Sequence, residues 1–270
     1  MNHTSEPKPL MNTDNLVDSL DYDKTVLDDN SATKCQTSAY SESYFDALYN
    51  DNTDPWQYQT RWYEKRKRDI CLAILPQSQY DNAIEMGCGN GVLSELLAQR
   101  CRALVSIDGN ERAVQLAKER LAELSHVKVI QGVVPNRLLN LREAIIEAYP
   151  LSNDTPTIEP AFIEPAFDLI VISEILYYLS PNDVDIVIAW TQQNLAIGGT
   201  LLCCHWRYAI DGFAMTGETV HQRLHHAFSF ANNEKHQVAF NHQSQVIDND
   251  FLLDIWQRSP SSVAMQENLI

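Results

Sequence analysis

The sequence predicts an α/β domain in which a mostly parallel sheet carries helices on both faces. Three observations predict it. First, Ala83-Ile84-Glu85-Met86-Gly87-Cys88-Gly89-Asn90-Gly91 runs from apolar residues through an acid into alternating glycines, and Val92-Leu93-Ser94-Glu95-Leu96-Leu97 then opens a helical pattern. That is a strand, a tight turn and a helix: glycine serves where the main chain takes positive φ or must lie bare against a ligand, and the helix start offers unpaired N–H groups. Second, Ala103 to Asp108 and Phe167 to Ser173 are nearly continuous apolar runs, as in parallel strands covered on both faces. Third, segments of helical period lie between these runs and supply the crossovers that parallel strands need.

Composition narrows the class of function. A chain of 270 residues with 44% hydrophobic residues suits one domain with additions, or two small ones. The formal charge of −16 argues against a nucleic-acid partner, because phosphate backbones are bound by clustered Lys and Arg. Cys35, Cys71, Cys88, Cys101, Cys203 and Cys204 contain no C-x-x-C pair, so reduced thiols are expected and no metal site. No apolar run is long enough to span a bilayer, and the polar, acidic N-terminus does not read as a secretory signal. The expected setting is cytoplasmic, without a membrane partner.

Along the chain, residues 1–40 are rich in Asn, Asp, Ser and Thr without an apolar face and read as a loosely attached or disordered acidic tail. A domain is expected over 41–258, its first part, 41–76, being a helical cover. Tyr44, Phe45, Leu48 and Tyr49 recur at helical spacing, Asp54-Pro55-Trp56 breaks the direction, and Tyr58 to Leu75 continues as a second helix. After Asp108, Gly109-Asn110 is a turn, and Ala113 to Leu124 repeats as a buried helix stripe. Val127 to Gln131 is the third strand, and Leu138 to Tyr149 a further helix. A loop then carries Ile158-Glu159-Pro160-Ala161-Phe162 and its duplicate Ile163-Glu164-Pro165-Ala166-Phe167, read as an extension of the loop with no assigned role. Phe167 to Ser173 is the fourth strand, Val184 to Ala196 a helix ending at Gly198-Gly199, and Thr200 to Trp206 the fifth strand. Gln237 to Gln245 and Asp250 to Gln257 read as a terminal hairpin, the second strand alternating Phe251, Leu253, Ile255 against Leu252, Asp254, Trp256. Residues 259–270 form a short tail.

The glycine turn suits a dinucleotide or another nucleoside ligand. A dinucleotide fingerprint has Gly or Ala where Val92 stands, to bring helix and strand together around a pyrophosphate. The pattern E-x-G-x-G-x-G, followed by a second strand ending in Asp108, instead resembles class I S-adenosylmethionine-dependent methyltransferases. Within that class, Asp54-Pro55-Trp56, Trp62 to Lys67, Glu85 to Gly91, Gly132-Val133-Val134-Pro135 and Ser173 to Leu179 are similar to the nodulation protein S (NodS) family. The similarity spans about Ser41 to Arg258. It implies a Rossmann-like seven-stranded class I methyltransferase sheet of order 3-2-1-4-5-7-6, with the last strand antiparallel and helices on both faces. It also implies S-adenosyl-L-methionine as cofactor, S-adenosyl-L-homocysteine as product, and a small-molecule acceptor, with N-methylation of an amino sugar or related amine.

The resemblance implies cofactor contacts at Glu85, Gly87, Cys88, Gly89, Asp108, Gly109 and Asn110, with Asp108 accepting the ribose hydroxyls. An N-terminal helix over the cofactor would bring Tyr63 and Arg66 to its methionine end. The acid usual after the third strand is absent, which leaves the main chain at Gly132 and Val133 for adenine. Ligands of open α/β sheets lie outside the carboxyl ends of the strands, where strand order reverses, so Ser173 and Glu174 are expected near the reactive centre. Tyr177, Tyr178, Trp206, Arg207 and His221 are expected to line the acceptor pocket. For a base that takes the amine's proton the candidates are His205, Glu174 and Glu218; a lone histidine also reads as a core residue, and Glu174 as a cap. Two rivals stand beside this reading: a cofactor-binding scaffold without turnover, and a nicotinamide oxidoreductase.

Overall fold

The computed structural model describes residues 42–50, 52–149, 166–231, 240–258 and 269, all within the unit Thr37–Ile270. The expectations for the 1–40 tail, for the duplicated pentapeptides up to Pro165 and for most of the 259–270 tail lie outside the described residues.

Seven strands form one sheet: β1 (Tyr80–Met86), β2 (Cys101–Asp108), β3 (Val127–Gln131), β4 (Phe167–Ser173), β5 (Leu195–Trp206), β6 (Phe240–Ile247) and β7 (Phe251–Arg258), in the order β3-β2-β1-β4-β5-β7-β6. β1 pairs in parallel with β2 on one side and β4 on the other, Glu85 standing opposite Ser106 and Val171. Strand order therefore reverses between β1 and β4, the position at which such sheets leave a crevice at their carboxyl ends. β7 runs antiparallel to both β5 and β6. This is the seven-stranded class I methyltransferase order that the resemblance implied.

Alternate residues of the strands feed two cores. Ile84, Met86, Val105, Ile107, Ile170, Ile172 and Leu201 pack on one face, and Ala83, Leu104, Leu169, Val171, Leu202 and Leu253 on the other. Helices cover both: α1 (Glu42–Tyr49), α2 (Trp62–Ile74), α3 (Val92–Ala98), α4 (Glu111–Arg120), α5 (Asn136–Leu139), α6 (Leu141–Ala148), α7 (Pro181–Asn194) and α8 (Gly217–Ala231). A 3-10 turn, Leu176–Tyr178, leads from β4 to α7. The caps are local: Asn110 accepts from the Ala113 amide to start α4, and Ser180 accepts from Asp183, with Pro181 following, to start α7.

Four boundaries differ from the sequence expectation. The helix expected over Leu138 to Tyr149 breaks at Asn140 (φ −130°, ψ 33°) into α5 and α6. The stripe from Ala113 to Leu124 is helical only to Arg120. β5 begins at Leu195, because Gly198 and Gly199 lie inside the strand instead of closing a helix. The second hairpin strand starts one residue later than expected, at Phe251, and residues 237–239 of the first lie outside the described residues. The alternation expected of β7 is also overruled: it sits between β5 and β6, and both its faces are buried from Phe251 to Gln257. Asp254 is thereby buried as completely as Leu253.

Candidate active site

The glycine turn closes β1. Gly87, Gly89 and Gly91 all have positive φ, at 83°, 53° and 81°. Gly87 has a second constraint, since a Cβ there would fall 1.9 Å from Ile175 Cγ2. At Gly89 the space is open to ordinary contact: a Cβ would lie 3.4 Å from both the Tyr49 hydroxyl and Tyr58 Cε2. The cover formed by α1 and the segment after it therefore stands over the bare middle of the turn.

Asp108, half-buried at the end of β2, holds the turn from the side. Its Oδ2 accepts from the Gly89 amide at 2.9 Å, and its Oδ1 from the Asn110 amide at 2.9 Å. Burial pushes its carboxyl above the usual carboxylate range, while the Asn110, Gly89 and Gly109 amides pull the other way. The Asn110 side chain caps α4 and donates to Asp46 Oδ1 at 2.8 Å, so it ties α1 to the turn. Gly132 adjoins Asp108, donating to its carbonyl at 2.8 Å, and the place of its missing Cβ is taken by Arg137. Val133 and Gly109 are half-buried beside it, and Cys88 is buried, its thiol directed at the Gly89 carbonyl.

Glu85 lies behind the turn. It is 1% exposed, and its Oε2 accepts from Ser94 at 2.5 Å and Ser106 at 3.0 Å, joining β1, β2 and α3. Burial pushes its carboxyl up to about 7 against the pull of those two hydroxyls. Its Oε2 is thus engaged inside the protein.

The second centre is Glu174, just past β4, beside the half-buried Ser173. Its φ of 61° puts a non-glycine residue in the left-handed region, a strained geometry that clusters at functional sites. Glu174 Oε1 meets Lys67 Nζ at 2.6 Å. Its Oε2 accepts from the Tyr177 hydroxyl and from the Trp206 amide at 2.9 Å. Lys67 also lies 3.2 Å from Glu64. Burial alone would lower the Lys67 amine, but Glu174 and Glu64 outweigh it and hold the pKa well above its usual value. Burial raises the Glu64 carboxyl. Around this group, Tyr63 lies beside Trp206 with ring centroids 5.8 Å apart, and Tyr178 packs edge-on against Tyr177, Phe45 and Phe213.

Several expected site residues are engaged elsewhere. Arg66 turns outward to Asp248 at 2.7 Å, so the inward cation of α2 is its neighbour Lys67. Arg207 and Glu218 pair with each other through Arg207 Nε at 2.7 Å. His205 is wholly buried: its Nε2 accepts from the Leu176 amide, and its Nδ1 lies 3.0 Å from His221 Nε2. His221, also buried, has its Nδ1 2.5 Å from Asp254 Oδ2. This line sets the tautomers: the His205 Nδ1–H donates to His221 Nε2, and the His221 Nδ1–H donates to the Asp254 carboxylate. Burial, with His221 and Lys67, drops the His205 pKa well below its usual value. With both nitrogens occupied and no exposure, His205 is a core residue, and His221 does not line a pocket.

Sequence reasoning missed Lys67, Glu64 and Arg68. Glu64, Lys67, Arg68 and Cys71 form the buried stripe of α2, at the i, i+3, i+4, i+7 spacing usually held by apolar residues. Charges at that spacing were the available signal. Among the described residues, the Tyr49 and Tyr63 hydroxyls, Arg68 Nε and Nη1, and Asn90 Oδ1 are buried without a hydrogen-bond partner. Such atoms call for an explanation, and of these the Tyr49 hydroxyl adjoins Gly89 and Asn90 belongs to the turn itself.

A family profile for Nodulation protein S (NodS) matches residues 46–147. Nodulation protein S of Sinorhizobium fredii is 31% identical over 127 residues, 47% of this chain and 48% of that protein. The Rhizobium tropici protein of the same name is 28% identical over 55% of this chain and 53% of its own. The chain thus spans about half the length of the curated relatives it matches. A solved Pseudomonas syringae structure carrying a provisional methyltransferase assignment is 34% identical, covering 73% of this chain and 100% of that one, with a TM-score of 0.51. The N-methyltransferase NodS from Bradyrhizobium japonicum WM9, solved with S-adenosyl-L-homocysteine, shares the fold at 24% identity and a TM-score of 0.60, over 80% of this chain and 97% of that one.

Proposed function

We propose, on the premise that the chain belongs to the nodulation protein S-like family of methyltransferases, that it methylates a small-molecule amine with S-adenosyl-L-methionine as donor. An amino sugar is the acceptor class we favour, following the resemblance to the nodulation protein S family, and the Bradyrhizobium japonicum neighbour is named as an N-methyltransferase. The observation that carries the reading is the bare turn at Gly87 to Gly91, flanked by half-buried Asp108 and by the unpaired Tyr49 hydroxyl, with the unpaired Tyr63 and Arg68 atoms on the neighbouring α2. Those residues fit a nucleoside that also bears a charged amino-acid end. The charge of −16 weighs against a nucleic-acid acceptor. No helix among the described residues is long and apolar enough to cross a membrane. The described cysteines are free and buried, which supports a reducing compartment, the cytoplasm.

When bound, S-adenosyl-L-methionine supplies an electrophilic methyl group on a sulfonium. The chain's task is to hold, align and dry the reactants. Asp108 suits the ribose hydroxyls, because each carboxylate oxygen keeps a lone pair after accepting one amide. Arg68 replaces Arg66 as the cation for a carboxylate, its Nε and Nη1 being unpaired. Tyr177 and Tyr178 supply aromatic rings whose faces attract a cationic amine. The amine attacks only when neutral, so a proton must leave first. Glu174 already accepts from Lys67, Tyr177 and the Trp206 amide, and the lone pair left on Oε1 suits it to orient the amine. Burial raises the Glu64 carboxyl, which suits it to receive a proton.

The test is transfer of labelled methyl from S-adenosyl-L-methionine to glucosamine-type amines and partly deacetylated chito-oligosaccharides, with products identified by mass spectrometry. Binding without transfer across the amine set leaves a non-catalytic binding protein. Absence of affinity for either the donor or S-adenosyl-L-homocysteine removes the proposal.

A further inference from the structure

On the opposite side of the His205 line from the turn at Leu176, the side chains of three elements converge on Asp254. We propose that His225 of α8, His242 of β6 and Asp254 of β7 form a site for a divalent transition-metal cation of the zinc type. His242 Nε2 lies 2.5 Å and His225 Nε2 3.2 Å from the same oxygen, Asp254 Oδ1. All three ligand atoms fall within 4.8 Å of one another. A tetrahedral zinc with bonds of about 2.0–2.2 Å needs its ligand atoms about 3.3 Å apart. Small rotations of two imidazole rings meet that requirement.

The chemistry of the set agrees. Two imidazoles and a carboxylate suit zinc, cobalt or nickel and not calcium or magnesium, which prefer oxygen throughout. Asp254 is wholly buried, while the side chains of His225 and His242 are each 35% exposed, giving the cation a path from solvent and room for a water as fourth ligand. The second oxygen of Asp254 is held by His221, the kind of outer contact that orients a ligating carboxylate. Trp256 walls the site, its ring 5.1 Å from His225 and 5.3 Å from His242.

Without metal, the His242 Nε2–H donates to Oδ1, while His225 Nε2 lies 3.2 Å from the same oxygen and 3.4 Å from Gln245 Nε2. On metal binding each ring turns its Nε2 lone pair to the cation and carries its proton at Nδ1, any proton displaced from Nε2 passing to solvent as Nδ1 takes one up, so the cation meets one carboxylate charge. The bound ion clamps α8 to the β6–β7 hairpin. No local spacing in the sequence announces this set, because its members come from three separate elements.

The test uses the untagged full chain, stripped with chelator and titrated with Zn2+ by calorimetry and with Co2+ by absorption. One ion per chain and the visible bands of low-coordinate cobalt are expected, with an anomalous peak at the zinc edge between the two rings in crystals. His225→Gln and His242→Gln should each weaken binding by at least about 100-fold, since even outer partners of metal ligands cost about 10–100-fold. The proposal is overturned if the wild-type chain takes up no zinc at micromolar concentration. Unchanged affinity in both variants, or an anomalous peak elsewhere, overturns it too. Should either variant fail to fold, the anomalous map of the wild-type chain decides. None of these outcomes depends on methyl transfer.

Discussion

Replacing Glu85 with Gln should change the slope of stability against pH, not merely its level. The folded-state pKa of Glu85 is raised from 4.5 to about 7 by burial, so folding favours the protonated acid. The stability it contributes is fully present below pH 4.5 and is lost as pH rises through about 7. At about 1.4 kcal/mol per unit, the loss amounts to about 3 kcal/mol, most of it falling between pH 5 and pH 8. Glutamine is isosteric, cannot ionise, and keeps an oxygen for Ser94 and Ser106. Its extra N–H group lacks a partner and costs about 1–3 kcal/mol, but that cost is independent of pH. Urea unfolding of both proteins from pH 5 to pH 8 measures the difference, because every other titrating group is common to the two. The variant should gain about 2–3 kcal/mol relative to wild type across that range. Parallel curves would refute the reasoning, since they would mean that Glu85 ionises inside the fold as freely as outside it.

Three further outcomes follow from the site. Asp108→Asn should weaken S-adenosyl-L-homocysteine binding by about 100-fold in calorimetry, the equivalent of about 3 kcal/mol, since hydrogen bonds to a charged group contribute about 1.5–3 kcal/mol each; an unaltered affinity excludes Asp108 as the ribose ligand. Lys67→Met leaves Glu64 and Glu174 facing each other without their shared cation and should cost about 3–5 kcal/mol at neutral pH. Lowering the pH or adding Glu174→Gln should restore part of that loss in denaturant titrations, and failure of both would mean that the ion pairs are not what holds α2. His205→Ala should destabilise the fold by about 1–3 kcal/mol, because it unpairs His221 and the Leu176 amide. The pH profile of methyl transfer should keep its shape in that variant; a lost limb would return His205 to the role of base.

How far the fold could be read varied along the chain. The strand, turn and helix from Tyr80 to Ala98 were legible because glycine dihedrals and apolar periodicity are local properties of the backbone. The acid at the end of β2 was legible for the same reason, as its position follows from strand length. Glu85 shows the limit: the motif marked the residue but not the direction of its carboxylate, which turns into the sheet toward Ser94 and Ser106. Arg66 and Lys67 show it again, since adjacent residues point about 100° apart around a helix and only packing against β4 and the hairpin selects which one faces Glu174.

The amino-acid order by itself determined the alternation of strands and helices, the bare turn and the acid beside it, because each depends on contacts within a few residues. Tertiary structure alone decided which polar groups share a buried space. Insertion of β7 between β5 and β6 sealed Asp254 inside the sheet and drew histidines from α8 and β6 onto it. Periodicity specifies the face a residue occupies, whereas the group opposite that face depends on the register between segments far apart in the chain.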